Sequence, residues 1–301
     1  MARTSDPIES FAGFLAQAER SPLTIKNYRG DLAAFTVWFD EVNGEPMEPA
    51  KVTPADLRQF KRWLVEQRKL KPSSVNRKLA TLKSFLTWAA AAGIAPGLPV
   101  PAQGRSWSGP RPVPQERPGP RWRDRREQNA LLRAVERAGK ARDLAVVRLL
   151  LNTGLRVQEL CDLTWKDVAL SERKGLLTVR QGKGGKHRQV PLNQDARAAM
   201  TALGYSQHAG EEAVVLRGQR GPMTPRGVQT LLARFGAQAR LDDLSPHALR
   251  HTFCKNLIDA GVGLEQVAAL AGHESLETTR RYCTPSRLDL ERAVERIGES
   301  E

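Results

Sequence analysis

The stretch SPHALRHT, residues 245–252, predicts both a helix and the chemistry that it presents. Serine followed by proline is a common helix start, because the serine side chain caps the first turn and proline already has a helical φ. On that helix, His247 and Arg250 lie three residues apart and share one face. A histidine and an arginine on one face suit the surroundings of a phosphate better than a protein core.

Two other stretches add residues of the same chemical type. LAGHESLETTRRY, at the end of the chain, holds His273 and, nine residues later, Tyr282, while TGLRVQEL holds Arg156. Two guanidinium groups can clamp the nonbridging oxygens of a phosphate and stabilise a pentacovalent phosphorane. A nearby tyrosine hydroxyl can attack the phosphorus and form a covalent phosphodiester. Together these residues predict phosphoryl transfer that uses cations in place of a metal.

A glycine-rich turn supplies a further cation. GKGGKHRQVPL, residues 182–192, places Lys183 between two predicted strands and lacks the spacing of a nucleotide-binding P-loop. No GxSxG nucleophile turn, HExxH pair or carboxylate cluster stands out. Each residue of this set also has an ordinary structural explanation, such as a helix cap, a packed histidine or a charge at a hairpin tip. The prediction therefore depends on their joint occurrence.

The composition favours a polyanionic partner. The 301 residues include 47 Lys+Arg and 33 Asp+Glu, a formal net charge of +14. Nucleic acid is the usual partner of such a chain, and a membrane surface is the competing interpretation. No apolar run approaches the roughly 18–20 residues that a membrane-spanning helix needs, and the N-terminus shows no signal-peptide pattern. The sequence predicts a cytoplasmic protein without metal or cofactor, and its scattered cysteines predict no disulfide framework: Cys161, Cys254 and Cys283.

Proline divides the chain into two predicted domains. Residues 95–122 hold eight of the 19 prolines and an excess of arginine, which predicts an extended linker that lies along phosphates or is simply solvated. Residues 1–94 read as four helices: one over about 7–19, and others that start after Ser21-Pro22, at Thr53-Pro54 and near Ser73.

Residues 123–301 read as a mixed α/β domain. Strands are predicted on both sides of the glycine-rich turn, at 176–181 and 186–192, with a possible third at 213–216. Helices are predicted at 127–138, 141–152, 225–240, 246–260, 264–271, 275–283 and 286–298.

Charge within the first predicted domain is uneven. Between residues 58 and 83, nine basic residues stand against Glu66 alone. Contact with DNA phosphates is the favoured interpretation, and a solvated helix face is the alternative. The nine candidate DNA-binding residues are Arg58, Lys61, Arg62, Arg68, Lys69, Lys71, Arg77, Lys78 and Lys83.

These motifs together resemble the tyrosine site-specific recombinases, the family of the Xer recombinases, Cre and phage lambda integrase. The resemblance covers nearly the whole chain. It implies a mainly α fold with a small β-hairpin or sheet: an N-terminal four-helix core-binding (SAM-like) domain over 1–94, and a mixed α/β catalytic domain over 123–301. It also implies an enzyme that needs neither ATP nor a divalent metal.

The resemblance implies six catalytic residues: Arg156, Lys183, His247, Arg250, His273 and Tyr282. Tyr282 would attack the scissile phosphate to give a 3′-phosphotyrosyl link. Lys183, rather than Lys186, would protonate the leaving 5′-oxygen, and His247 would accept the tyrosine proton. Glu159 either orients a neighbour or is an ordinary carboxylate on a helix surface.

The resemblance further implies double-stranded DNA with paired sites as the partner, and a homotetramer assembled on it. The helix at 286–298 would dock in a neighbouring subunit or on its own domain. The tail CTPSRLDLERAVERI, residues 283–297, favours the integrase or resolvase of a mobile element. Xer-type resolution of chromosome or plasmid dimers is the alternative. A type IB topoisomerase and a non-catalytic DNA-binding protein are the rivals from other classes.

Overall fold

The protein is described as a computed structural model over residues 6–95, 109–115, 121–180, 187–273 and 275–280. Its internal contacts divide the chain into two units, Met1–Arg117 and Pro118–Glu301. The described residues are mainly helical, with a three-stranded antiparallel sheet in the second unit, so the predicted fold class is confirmed. The predicted domain limits and the extent of the linker stay predictions.

The first unit contains four helices, α1 (Pro7–Gln17), α2 (Pro22–Asn43), α3 (Pro54–Glu66) and α4 (Pro72–Ala91), with a short 3-10 turn at Pro49–Lys51. Each helix has proline in its first turn. The side chains of Asp6, Ser21 and Thr53 cap the first three by accepting backbone N–H hydrogen bonds. The helix starts predicted at Ser21 and Thr53 are therefore confirmed.

The core of this unit is aromatic. Six large rings are at most 2% exposed: Phe11, Phe35, Trp38, Phe39, Phe60 and Phe85. Beside them, the carboxylate of Asp31 on α2 is buried and accepts hydrogen bonds from Arg77, Lys78 and the hydroxyl of Thr81, all on α4. A buried carboxylate needs such partners. Arg77 and Lys78, two of the nine predicted DNA-binding residues, therefore also neutralise the buried charge of Asp31. Asp31 lies outside residues 58–83, so the charge count over that range does not include it.

Part of the predicted linker is held against this unit. Pro110 is buried, and both backbone groups of Val113 bond to Asn76 on α4. Val113 N–H donates to Asn76 Oδ1 at 2.7 Å, and Asn76 Nδ2 donates to Val113 O at 3.0 Å. Lys61 Nζ donates to Arg111 O at 2.8 Å. Residues 109–115 thus form a docked strap, which proline content alone does not reveal.

The second unit begins with α5 (Arg125–Arg137), α6 (Ala141–Thr153) and α7 (Val157–Asp162), followed by a 3-10 turn at Trp165–Asp167. Its sheet has the order β1 (Val168–Leu170), β2 (Gly175–Val179), β3 (Arg188–Pro191). The remaining helices are α8 (Gln194–Ala202), α9 (Tyr205–His208), α10 (Pro225–Gln238), α11 (Pro246–Asp259), α12 (Leu264–Ala271) and α13 (Leu276–Arg280). Helix α6 lies at the centre and packs against α8 and α11.

The third strand of the sheet is not the predicted one. Strand β1 is too short to show an alternating pattern, yet it pairs with β2 over three residues. Residues 213–216, predicted as a strand, instead make a single bridge, from Val214 to Thr164. On either side of it, Trp165 N–H donates to Ala213 O and Val215 N–H donates to Leu163 O. The helices predicted with bounds also did not include the short helices α7, α8 and α9.

The docked strap can be tested by hydrogen exchange at Val113. We expect Asn76→Ala to speed exchange of this N–H by roughly 30-fold, because two hydrogen bonds worth about 1 kcal/mol each are lost from the closed state. Nuclear magnetic resonance on the full chain would measure it. Gln59→Ala, an exposed change on α3, is the matched control. Equal exchange in the Asn76 variant and the control would mean that the strap does not depend on Asn76.

Candidate active site

A glycine at the end of α6 prepares the position of one predicted arginine. Gly154 has φ +61°, and a Cβ added there would lie 2.3 Å from the ring of Phe253 on α11. The close approach therefore requires glycine. Gly154 O accepts a hydrogen bond from Arg250 Nη1 at 2.6 Å, and the Arg250 side chain is buried. The guanidinium thus sits at the carboxyl end of α6, where the helix dipole favours a cation.

A second glycine plays the same part for Arg156. Gly272 ends α12 with φ +68°, and a Cβ there would lie 2.8 Å from Arg188 Nη1. Gly272 O accepts a hydrogen bond from Arg156 Nη2 at 2.7 Å. Arg156 itself stands at the N-terminal boundary of α7. Both predicted arginines are therefore oriented by main-chain carbonyls at helix ends.

Glu159 is the anion around which these cations are arranged. Its side chain is 5% exposed and bonds to Arg156 Nη1 at 2.8 Å and to Arg188 Nη2 at 2.7 Å. Burial raises the pKa of this carboxyl, but the hydrogen bonds and charges of Arg188 and Arg156 outweigh burial and lower the pKa from 4.5 to about 2. Of the two interpretations left open by the sequence, the structure supports a residue that orients its neighbours.

His273 lies within the electrostatic field of the arginines and of His247. Burial, followed by the charges of Arg250, Arg156 and His247, lowers the pKa of His273 from 6.5 to about 4. Burial and the nearby Arg156 also lower the pKa of Arg250 from 12.5 to about 10. At neutral pH, His273 is therefore neutral and Arg250 keeps its charge. His247 packs edge-on against His251, with ring centroids 4.1 Å apart.

Three residues of the site, Arg156, Glu159 and His273, line an open cleft of about 750 Å³. The structure thus brings four of the six predicted catalytic residues into one electrostatic cluster of the second unit. The remaining two, Lys183 and Tyr282, lie outside the described residues, as does the predicted helix at 286–298. The chemistry available in the described part is the binding of an anion by oriented guanidinium and imidazole groups.

Sequence reasoning missed Arg188, which reinforces the cluster. It opens β3, and its guanidinium bonds to both oxygens of Glu159 while Nε donates to Leu270 O at 3.1 Å. The alternation of β3 could have revealed it, because Arg188 and the fully buried Val190 lie two residues apart and therefore share a face.

The predicted DNA-binding cations belong to the first unit. All nine are exposed or half-buried, so none is removed from solvent by the core. Among the described residues, none of the helices combines the length and the apolar character needed to cross a bilayer. In the same ranges, no three His, Cys, Asp or Glu side chains are grouped so that they could hold a metal ion.

The role of Glu159 predicts a pH-dependent stability difference. Glu159→Gln removes the charge that compensates Arg156 and Arg188, so we expect the free energy of unfolding to fall by about 3 kcal/mol at pH 7. Because the folded pKa of about 2 lies below the ordinary 4.5, this contribution is complete above pH 4.5 and is lost as the pH falls toward 2.

Urea denaturation of both proteins at pH 7 and pH 3 would measure the difference, which should shrink to less than half at the lower pH. Glu265→Gln, on the exposed side of α12, is the matched control and should match the wild type at both values. A difference between wild type and Glu159→Gln that stays constant with pH would contradict an ionised, buried Glu159.

Both units match families of known proteins. The model described as the Phage integrase family matches residues 121–287, and that described as Phage integrase, N-terminal SAM-like domain matches residues 8–93. Tyrosine recombinase XerC of Xanthomonas campestris pv. campestris is 32% identical over 287 residues, which cover 93% of this chain and 84% of the relative. Tyrosine recombinase XerA of Thermococcus kodakarensis is 29% identical and covers 98% and 96%.

Solved structures share the fold. The integrase of transposon Tn1549 in complex with circular intermediate DNA has a TM-score of 0.72 at 19% identity, over 96% of this chain and 98% of that one. The XerH recombinase bound to a palindromic difH substrate has a TM-score of 0.70 at 19% identity, over 97% and 84%. The predicted SAM-like and catalytic domain types are confirmed by these matches. By this relationship the protein is an enzyme. The chain belongs to the tyrosine recombinases of the Xer and phage integrase family.

Proposed function

We propose that the protein is a site-specific DNA recombinase that cuts and rejoins duplex DNA through a 3′-phosphotyrosyl intermediate at Tyr282. The observation that carries the proposal is the cluster of Arg156, Arg250 and His273. Carbonyls at two helix ends orient the two arginines, and the buried Glu159 also holds Arg156. A cluster of fixed donors is suited to stabilising charge that develops on a phosphate, because it needs little reorganisation during the reaction.

The cutting step would exchange one phosphodiester for another. The Tyr282 oxygen attacks the phosphorus, the bond from phosphorus to the 5′-oxygen breaks, and a 3′-phosphotyrosyl ester and a free 5′-hydroxyl result. His247 accepts the phenol proton, and Lys183 supplies the proton that the leaving 5′-oxygen needs. Attack by the 5′-hydroxyl of another strand reverses these transfers and releases Tyr282. The number of ester bonds is conserved, so no ATP is required.

The remaining residues would act on the phosphorane. Arg156 and Arg250 bind its nonbridging oxygens through their guanidinium groups. His273 is neutral and donates a hydrogen bond to a phosphate oxygen. Glu159 and Arg188 touch neither phosphate nor nucleophile in this scheme, and they hold Arg156 in position.

The partner would be double-stranded DNA with paired sites, bound by a homotetramer. Support for DNA comes from the net charge of +14, from the nine basic residues of the first unit and from the two solved structures, the Tn1549 integrase and XerH, which are complexes with DNA. Docking of the 286–298 helix in a neighbouring subunit would connect the protomers. A chromosome or plasmid substrate would place the protein in the cytoplasm.

The relatives favour a different biological role from the one that the tail sequence favoured. XerC and XerA match over more than nine-tenths of this chain, whereas the likeness to the transposon integrase is at 19% identity and concerns the fold. We therefore place Xer-type resolution of chromosome or plasmid dimers ahead of a mobile-element integrase.

The nucleophile can be tested by trapping. A binding site is first selected with the protein from a random DNA library, and a duplex of that sequence is then made with a nick close to the cutting position. After cutting, the short strand with the free 5′-hydroxyl diffuses away, so rejoining fails and the protein stays attached to the DNA. We expect wild type and the control Tyr28→Phe to form an adduct that withstands denaturing electrophoresis. Tyr282→Phe should bind the same DNA with unchanged affinity and form none, because only one oxygen is removed.

Three results would contradict the proposal. An adduct in Tyr282→Phe would assign the nucleophile elsewhere. Binding without any adduct in wild type would favour a non-catalytic DNA-binding protein. Relaxation of supercoiled DNA without exchange between two sites would favour a type IB topoisomerase.

A further inference from the structure

One buried hydroxyl beside the cluster has no part in the mechanism described above. Thr279, on α13, is fully buried, and its Oγ1 lies 2.9 Å from Nδ1 of His273. A polar side chain buried in this way is satisfied by its hydrogen bond, so the contact has a structural cost if it is broken. The same hydrogen bond occupies Nδ1 of His273, the residue whose ring is proposed to contact the phosphate.

We propose that Thr279 is a positioning residue whose hydroxyl donates to Nδ1 of His273 and thereby places the ring proton on Nε2, for donation to the scissile phosphate. The inference rests on the proposed function, because it assumes that the anion at this site is a phosphate. It assigns a role to a residue that touches neither DNA nor nucleophile in the scheme.

The proposed direction of the hydrogen bond combines the single ring proton of His273 with the negative charge of the phosphate that the ring would face. Burial and the neighbouring positive charges of Arg250 and Arg156 lower its pKa to about 4, so at neutral pH the ring carries a single N–H. If Nδ1 carried that proton, Nε2 would present a lone pair to an anionic oxygen and repel it. A hydroxyl can donate to Nδ1, whereas a carbonyl in the same place could only accept and would select the wrong tautomer.

The contact also connects two parts of the chain that the reaction must bring together. The backbone N–H of His273 is bonded to Ala268 O at the end of α12, so the residue is tied to α12 by its main chain and to α13 by its ring. Thr279 precedes Tyr282 by three residues in the sequence. The hydroxyl therefore links His273 to the segment that leads into the proposed nucleophile.

Two substitutions separate this role from simple packing. Thr279→Val keeps the shape and removes the hydroxyl, and Thr279→Ser keeps the hydroxyl and removes a methyl group. We expect the Val variant to cut the nicked duplex roughly 10- to 100-fold more slowly, as when a partner that orients a catalytic group is lost. The Ser variant should stay within a few-fold of wild type, and DNA affinity should change in neither. Thr230→Val, an exposed change on α10, is the control.

A double-mutant cycle and a spectrum complete the test. In a His273→Ala background, Thr279→Val should cost nothing further, because the residue acts only through the imidazole. Nitrogen-15 magnetic resonance of the DNA-bound protein should show His273 as the Nε2–H tautomer in wild type and Thr279→Ser, with Nδ1–H increased in Thr279→Val. Loss of the peak in His273→Ala assigns it.

The inference would be overturned by wild-type cutting in Thr279→Val, by equal losses in the Val and Ser variants, by additive losses in the cycle, or by an Nδ1–H tautomer in wild type. The last measurement needs no substitution at Thr279, so it decides the matter even if Thr279→Val fails to fold. Failure of the proposed function is distinguishable, since wild type would then form no adduct at all.

Discussion

The buried carboxylate of Glu159 is the constraint on which the site depends. A charged side chain that is only 5% exposed is stable only if its partners are held in place. The partners of Glu159 are Arg156 at the start of α7 and Arg188 at the start of β3. Both guanidiniums also bond to carbonyls at the end of α12, Gly272 and Leu270. One anion therefore fixes a helix, a strand and a second helix end with respect to one another.

The same arrangement leaves the site with an excess of positive charge. Glu159 compensates only part of the charge of Arg156, Arg188 and Arg250. Burial first, and then the remaining positive charge, lower the pKa of both Arg250 and His273. Such mutual repulsion is a cost to folding that the proposed binding of a phosphate would relieve. Functional sites commonly retain strain of this kind, because groups oriented during folding need not reorganise when charge develops on the substrate.

Much of the fold could be predicted from local sequence, and much of the geometry of the site could not. Serine or threonine before proline marks the starts of α2, α3, α10 and α11, because capping is a matter of adjacent residues. The pairing of Glu159 with Arg188 joins residues far apart in the chain, as do Asp31 with Arg77 and Asn76 with Val113. These contacts exist only once the elements pack, so no local pattern reports them. Lys183 and Tyr282 rest on the sequence motifs, since they lie outside the described residues.

The central claim is that oriented guanidiniums stabilise negative charge on a phosphate during transfer. A duplex whose scissile linkage is a neutral methylphosphonate tests it most directly, since the substrate lacks the charge that Arg250 would stabilise. In Arg250→Ala, we expect cutting of the normal phosphodiester to fall by about 10²- to 10³-fold, as for the loss of an oxyanion donor, while the methylphosphonate is cut nearly as fast as by wild type. A loss of fold cannot imitate that result, because it would slow both substrates. Equal losses on the two substrates would contradict the claim.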